Sequence, residues 1–125
     1  MLGSTNIIAF VPIKDSEKAR AFYEGILGLR FVKDDGFARV LEANGIMVRA
    51  AKMKEVTPAQ FTILGWQVAD IAQVVRGLVA RGVHFEIFGF FKQDELGIWT
   101  APTGDKVAWF KDPDGNILSV SQHVD

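Results

Sequence analysis

The side chains able to do chemistry are few. His84 and His123 are the only histidines, and the chain has no cysteine. Thiolate catalysis, disulfides and cysteine-ligated metals are therefore excluded. A zinc site built on two histidines needs carboxylate help and convergence in space. Here one histidine falls near the start of an extended segment and the other near the C-terminus. His84 acting alone as a base has no sequence neighbour to orient it. Asp112-Pro113-Asp114-Gly115 is a dense turn signature, too short for the EF-hand ligand pattern. Gly25, Gly28 and Gly36 form no phosphate-cradling loop, and there is no nucleophile elbow or metalloprotease helix. What remains is chemistry of recognition. The planar guanidinium of Arg49, and less strongly that of Arg39, can clamp a carboxylate, phosphate or phenolate. For Arg49 the structural alternative is an ion pair with Glu42 across the Asn44-Gly45 turn. Trp66, Trp99 and Trp109 can stack on a planar ligand. Phe88, Phe90 and Phe91 read as lid, core or dimer-contact residues.

Some scaffold must position these groups, and composition bounds it. The 125 residues are 49% hydrophobic and 23% charged, which suits one compact domain or two small repeats sharing a core. A net charge of -1 supplies no field for nucleic acid or anionic lipid. The apolar runs fall short of a membrane span, and residues 1–13 lack the pattern of a signal peptide. A cytoplasmic protein with no nucleic-acid or membrane partner is the expectation.

The hydrophobic pattern predicts a strand over 6–13 and a helix capped by Asp15 or Ser16, buried along Ala19, Phe22, Ile26 and Leu27. Gly28 suits the left-handed exit from that helix. Strands follow over 29–32, 37–41 and 46–51, the last two joined by Asn44-Gly45, residues that tolerate positive φ. After a polar connector at 52–60, a strand over 61–68 leads to a helix. Asp70 and Gln73 have capping-box spacing there, and Gly82 ends the helix. Extended segments are expected over 84–91, 96–100, 106–110 and 116–120. The order strand, helix, three strands therefore occurs twice, with Asp15 and Asp70, then Gly28 and Gly82, at matching places.

Several of these segments carry a specific likeness. Val11-Pro12-Ile13-Lys14-Asp15-Ser16, Ala21-Phe22-Tyr23 and Ile26-Leu27-Gly28-Leu29 come first in the chain. Phe110-Lys111-Asp112-Pro113-Asp114-Gly115-Asn116 forms the final hairpin. With these motifs in this order, nearly the whole chain resembles the vicinal-oxygen-chelate superfamily, which includes glyoxalase I, extradiol dioxygenases and bleomycin-resistance proteins. The resemblance implies an α+β fold of two paired βαβββ modules, near 5–53 and 60–123, forming curved mixed sheets around a cleft within one domain spanning 1–125. It also implies a homodimer.

In metal-using relatives, ligands project from the first and last strands of each module. The corresponding residues here are Ile8, Arg49, Ile63 and Ser119. Isoleucine has no donor electron pair, arginine is a cation without an acceptor, and serine alone is a poor ligand. The resemblance therefore comes without the family's metal centre, and no cofactor is expected. A one-residue slip would bring Ile7, Ala9, Val48 and Ala50 inward, which supply no replacement.

In the family orientation Ile8, Phe10, Pro12 and Arg49 face the cleft, as do Ile63, Gly65, Gln67, Ile117, Ser119 and Ser121. Trp66 has the opposite parity and packs towards a helix. Trp99 lies where relatives build a pocket wall, and Trp109 is open to either side. The candidate ligand-binding set is Ile8, Phe10, Arg49, Ile63, Gln67, Trp99 and Ser119, with Arg49 and Gln67 orienting polar atoms. The expected function is metal-independent binding of a small, partly aromatic or anionic molecule. The alternative is a metal-independent or atypical lyase, isomerase or dioxygenase-like enzyme. That enzyme would use Arg49 for charge stabilisation and Glu42, His84 or Tyr23 as acid or base. A third possibility is an interaction subunit that presents Trp99 and residues 88–91 to a partner.

Overall fold

The computed structural model describes residues 1–124. The chain divides into two compact units, residues 1–57 and the residues from Pro58 onward. Each has the order βαβββ.

In the first unit, β1 (Ile8–Ile13) leads into a short helix α1 (Ser16–Ala19), which continues as a π-helical segment over Arg20–Ile26. Asp15 caps it, its carboxylate accepting from the Glu17 and Lys18 amides. In the wider winding, consecutive residues Phe22 and Tyr23 are both buried, their rings edge to face at 5.2 Å. Ile26 and Leu27, expected in the buried stripe, are only half-buried. Strands β2 (Arg30–Asp34), β3 (Ala38–Ala43) and β4 (Ile46–Lys52) complete a sheet in the order β1-β4-β3-β2. The β3–β4 hairpin turns on Asn44 and Gly45 at φ 49° and 84°. That pair of positive values is the signature of the tight turn their types predict.

The second unit repeats the plan with β5 (Leu64–Gln67), α2 (Ile71–Ala80), β6 (Trp99–Thr100), β7 (Lys106–Lys111) and β8 (Ile117–Gln122), in the order β5-β8-β7-β6. In both units the first strand pairs parallel with the last, and the remaining pairings are antiparallel. Asp70 caps α2 by accepting from the Gln73 amide, and Gln122 Oε1 takes the Ile71 amide at 2.9 Å. Alternate strand residues point to opposite faces. Leu118, Val120, Ala108 and Phe110 are buried on one face, where Trp66 stacks on Phe110 at 6.4 Å, the parity expected for that tryptophan. In β8, Ile117 and Ser119 on the other face are buried as well.

Residues 84–91 depart from the expected strand. Only Phe85 bridges to the sheet, opposite Phe110. The physical reason is a side chain. The Gln93 carboxamide accepts from the Phe88 amide at 2.7 Å and donates to the carbonyls of Glu86 at 2.9 Å and Gly97 at 2.8 Å. Backbone groups that would extend a ladder are satisfied locally, so the segment folds as a loop. For the same reason 96–100 contracts to the two residues of β6.

Candidate functional site

Cross-strand partners stand on the same face of a sheet. In the first unit Phe10 pairs with Arg49, which pairs with Val40, and Ile8 pairs with Met47. Ile8, Phe10 and Arg49 thus share one face, away from the buried Val11 and Ile13. Phe10 is 60% exposed there, and Ile8 borders a recess of about 370 Å³ with Val40 and Met47.

Arg49 is engaged, but not by the residue expected. Its guanidinium donates to Asp35 Oδ2 at 2.8 Å, while Glu42 is bound by Arg30 at 2.8 Å and by the Gly45 amide. The chain passes through the Asp34-Asp35-Gly36 turn, so the carboxylate next to Arg49 comes from β2's end and not from the β3–β4 hairpin. The Arg49 hydrogen bond, with the Phe37 and Ala38 amides, holds the Asp35 carboxyl down at about 2. Asp34 is lowered by Lys52 and the Gly36 amide, and Glu42 by the Gly45 amide and Arg30. Arg39, the second anion candidate, is structural: it pairs with Glu24 at 2.9 Å and lies 4.3 Å over the Phe31 ring. Tyr23 is 1% exposed, too buried to serve as an acid or base for a ligand. His84 is exposed.

The second unit has the same registers. Gly65 pairs with Ser119, which pairs with Trp109, and Gln67 pairs with Ser121, which pairs with Val107 opposite Trp99. Gly65 leaves little room: a Cβ there would lie 3.0 Å from Ser119 Oγ. Ile63 precedes β5 and donates its amide to the Ile117 carbonyl. Three of the unit's four candidates, Gln67, Trp99 and Ser119, therefore stand on one face with Trp109, while Ile63 lies in the bend before β5, outside the paired register. The strand register settles what the sequence left open, placing Trp109 opposite to the buried Phe110.

An aromatic cluster forms over that face. The Trp109 and Phe91 rings are parallel within 2° at 5.0 Å, Phe88 meets Trp109 edge-on at 5.4 Å, and Trp99 backs Phe91 at 4.6 Å. Beside the cluster runs a groove of about 680 Å³ lined by Phe61, Phe88, Phe90, Phe91, Trp109 and Ile117, with Gln60, Thr62 and Lys111 as polar points. Phe90 is 80% exposed and Phe61 68%. Lys111 lies 3.8 Å from Glu86, a loose contact. Trp99 is not in the groove's lining; it supports Phe91 from behind. Sequence reasoning singled out the Phe88–Phe91 stretch without assigning it, because no periodicity indicates which way a loop folds.

Neither face carries a metal donor set. In the first unit the two ligand positions, Ile8 and Arg49, are diagonal neighbours on the parallel pair; in the second, Ser119 lies on β8 and Ile63 in the bend before β5. The hydrocarbon, cation and single hydroxyl found there do not fit a divalent ion. Among the described residues no three His, Asp or Glu side chains converge to hold one.

A different set does converge. His123 Nε2 lies 2.9 Å from Ser121 Oγ, and Nδ1 lies 3.3 Å from Asp105 Oδ2. The spacing of Ser121 and His123 on an extended segment was the available signal, since alternate residues share a side. Asp105 comes from the turn before β7, which sequence alone does not bring near.

A model of the Glyoxalase/Bleomycin resistance protein/Dioxygenase superfamily matches residues 6–120. Similar solved structures include a bleomycin resistance determinant encoded on transposon Tn5, with TM-score 0.75 and 22% identity over 97% of this chain and 99% of that one. A superfamily member from Sphaerobacter thermophilus has TM-score 0.73 and 24% identity over 98% and 100%. TnmS3, an antibiotic binding protein from Streptomyces sp. CB03234, has TM-score 0.72 and 22% identity over 98% of each chain. A search of curated proteins finds no match.

Proposed function

The chain belongs to the glyoxalase/bleomycin resistance protein/dioxygenase superfamily, and on that premise we propose that it binds a small, planar, partly aromatic or anionic molecule without the metal centre of its metal-using relatives. The observation that carries this reading is the aromatic groove of the second unit, about 680 Å³ and walled by Phe88, Phe90, Phe91 and Trp109. That volume suits a drug-sized ligand, and a mostly apolar lining with few polar points is the usual composition of such sites. Stacked rings offer a planar partner both dispersion and quadrupole attraction. Lys111 at the rim favours an anionic substituent. Two of the similar structures are described as a bleomycin resistance determinant and an antibiotic binding protein, names that fit a binding role; at 22% identity the likeness itself is one of fold.

The donor set supports metal independence. Ile8 and Ile63 offer no lone pair, and Arg49 brings a positive charge held by Asp35. No step in ligand binding is assigned to a metal ion.

The test is a fluorescence titration with anilinonaphthalene sulfonate, an aromatic anion. Wild-type protein should bind one probe per chain, with affinity unchanged by exhaustive chelation. Trp109→Ala should weaken binding about 5- to 140-fold, the ~1–3 kcal/mol typical of one lost stacking platform at 1.4 kcal/mol per tenfold. Equal affinity in the variant, or affinity that disappears on chelation, overturns the proposal.

We further propose that two copies associate. The support is the exposed apolar face of the first unit, where Ile8, Phe10 and Met47 stand together with Val32 nearby. Light scattering should report twice the chain mass, and Phe10→Glu should reduce it to one. A monomeric wild type removes the assembly.

A further inference from the structure

A hydroxyl, an imidazole and a carboxylate stand in line at the end of β8. Ser121 Oγ is 2.9 Å from His123 Nε2, and His123 Nδ1 is 3.3 Å from Asp105 Oδ2. Asp105 is itself fixed. Its other oxygen accepts from the Val124 amide at 3.0 Å, and its own amide donates to Thr103 Oγ1 at 3.3 Å. The Val124 amide is the main cause that lowers its carboxyl below the ordinary range, so it is ionised. An ionised carboxylate accepts the Nδ1 proton, which leaves the Nε2 lone pair facing the serine hydroxyl. That is the tautomer a general base requires.

We propose that Ser121, His123 and Asp105 form a nucleophilic site for hydrolysis of small esters of aromatic alcohols. The register places substrate-holding groups around the serine. Ser121 pairs with Gln67 on one side and Val107 on the other, and Val107 pairs with Trp99. The Trp99 indole supplies an apolar wall for an aryl group. The Gln67 carboxamide rises from the neighbouring strand on the same face, a donor for the oxyanion that develops on the acyl oxygen.

In the acylation step, Ser121 Oγ bonds to the acyl carbon while its proton passes to His123 Nε2. Collapse breaks the bond to the aryl oxygen, which leaves with the Nε2 proton. Water then attacks the acyl-serine, giving its proton to the same nitrogen, and the proton returns to Ser121 as the carboxylic acid departs. Ser121 and His123 are the catalytic residues, and Asp105 is a positioning residue. The same three groups also fasten the C-terminal end to the turn before β7. A fastening alone requires no reactive serine, and this separates the two roles.

The experiment is covalent labelling of the full chain with an alkyl fluorophosphonate, mapped by peptide mass spectrometry. The reagent's phosphorus bonds to an activated serine oxygen and fluoride leaves. A label on Ser121 is expected, absent from Ser121→Ala and slowed about 100-fold or more in His123→Gln, the usual scale of general-base assistance. Asp105→Asn should slow labelling and shift the His123 ring from the Nδ1–H towards the Nε2–H tautomer, read from its nitrogen chemical shifts. An unlabelled Ser121 in the wild type overturns the proposal. So does equal labelling in His123→Gln, or an unchanged tautomer in Asp105→Asn.

Discussion

Replacing Gln93 by alanine should release the aromatic loop while leaving the sheet beneath it in place. The carboxamide makes three hydrogen bonds to backbone, at 2.7, 2.9 and 2.8 Å, spanning Glu86 to Gly97. A net value of about 1 kcal/mol each gives about 2–3 kcal/mol of local ordering, since water restores part of what is lost. Asp94 adds a second fastening by accepting from the Leu96 and Ile98 amides, but its bonds stay within 94–98 and do not reach Glu86 or Phe88. Amide hydrogen exchange reads the effect. The Glu86 amide, bound to the Trp109 carbonyl at 2.8 Å, is the reporter because its own acceptor is untouched. At 1.4 kcal/mol per tenfold change, its exchange should accelerate about 30- to 140-fold. Amides of β8 should exchange as before. Because Phe88 and Phe91 are held against Trp109 by this loop, affinity for the aromatic probe should fall in parallel. Unchanged exchange at Glu86 would refute the assignment of Gln93 as the loop's fastening. Accelerated exchange with unchanged probe affinity would separate the loop from binding.

Other expectations concern the sheets. Asp35 is held at about 2 against an ordinary value of 3.8, so its contribution to stability is complete above the ordinary value and lost as pH falls through about 2. Urea midpoints measured across that acid range should fall less steeply in Asp35→Asn than in wild type; identical slopes would contradict the Arg49–Asp35 pairing. Gly65→Ala should lower the melting temperature, because its Cβ would come 3.0 Å from Ser119 Oγ. Overpacking of this kind costs about 1–3 kcal/mol, and Gly65→Ala with Ser119→Gly should recover most of it. Failure of the double variant to recover would place the cost elsewhere.

The βαβββ plan was legible because its punctuation is local chemistry. Asp15 and Asp70 cap helices through their own carboxylates, and Asn44-Gly45 accepts the positive φ that a two-residue hairpin demands. The strand parities that put Phe10 with Arg49, and Gly65 with Ser119, follow from a period of two. What escaped the sequence depends on side-chain to backbone bonds without a period. Gln93 converts an aromatic-rich stretch that reads as a strand into a loop, and that loop sets the orientation of Phe88 and Phe91. The ion pairs escaped for a related reason. Arg49 has acidic residues at both ends of its hairpin ladder, and only the path of the 34–36 turn decides for Asp35 over Glu42. The convergence of Asp105 on His123 likewise depends on how the turn before β7 meets the end of β8.

Metal-free binding in the aromatic groove can be read in one experiment, native mass spectrometry of wild-type and Trp109→Ala protein equilibrated with anilinonaphthalene sulfonate. Wild-type ions should carry one probe per chain and no metal, and the probe should be largely absent from the variant. A probe complex found only on metal-loaded ions, or equally abundant in Trp109→Ala, would contradict it.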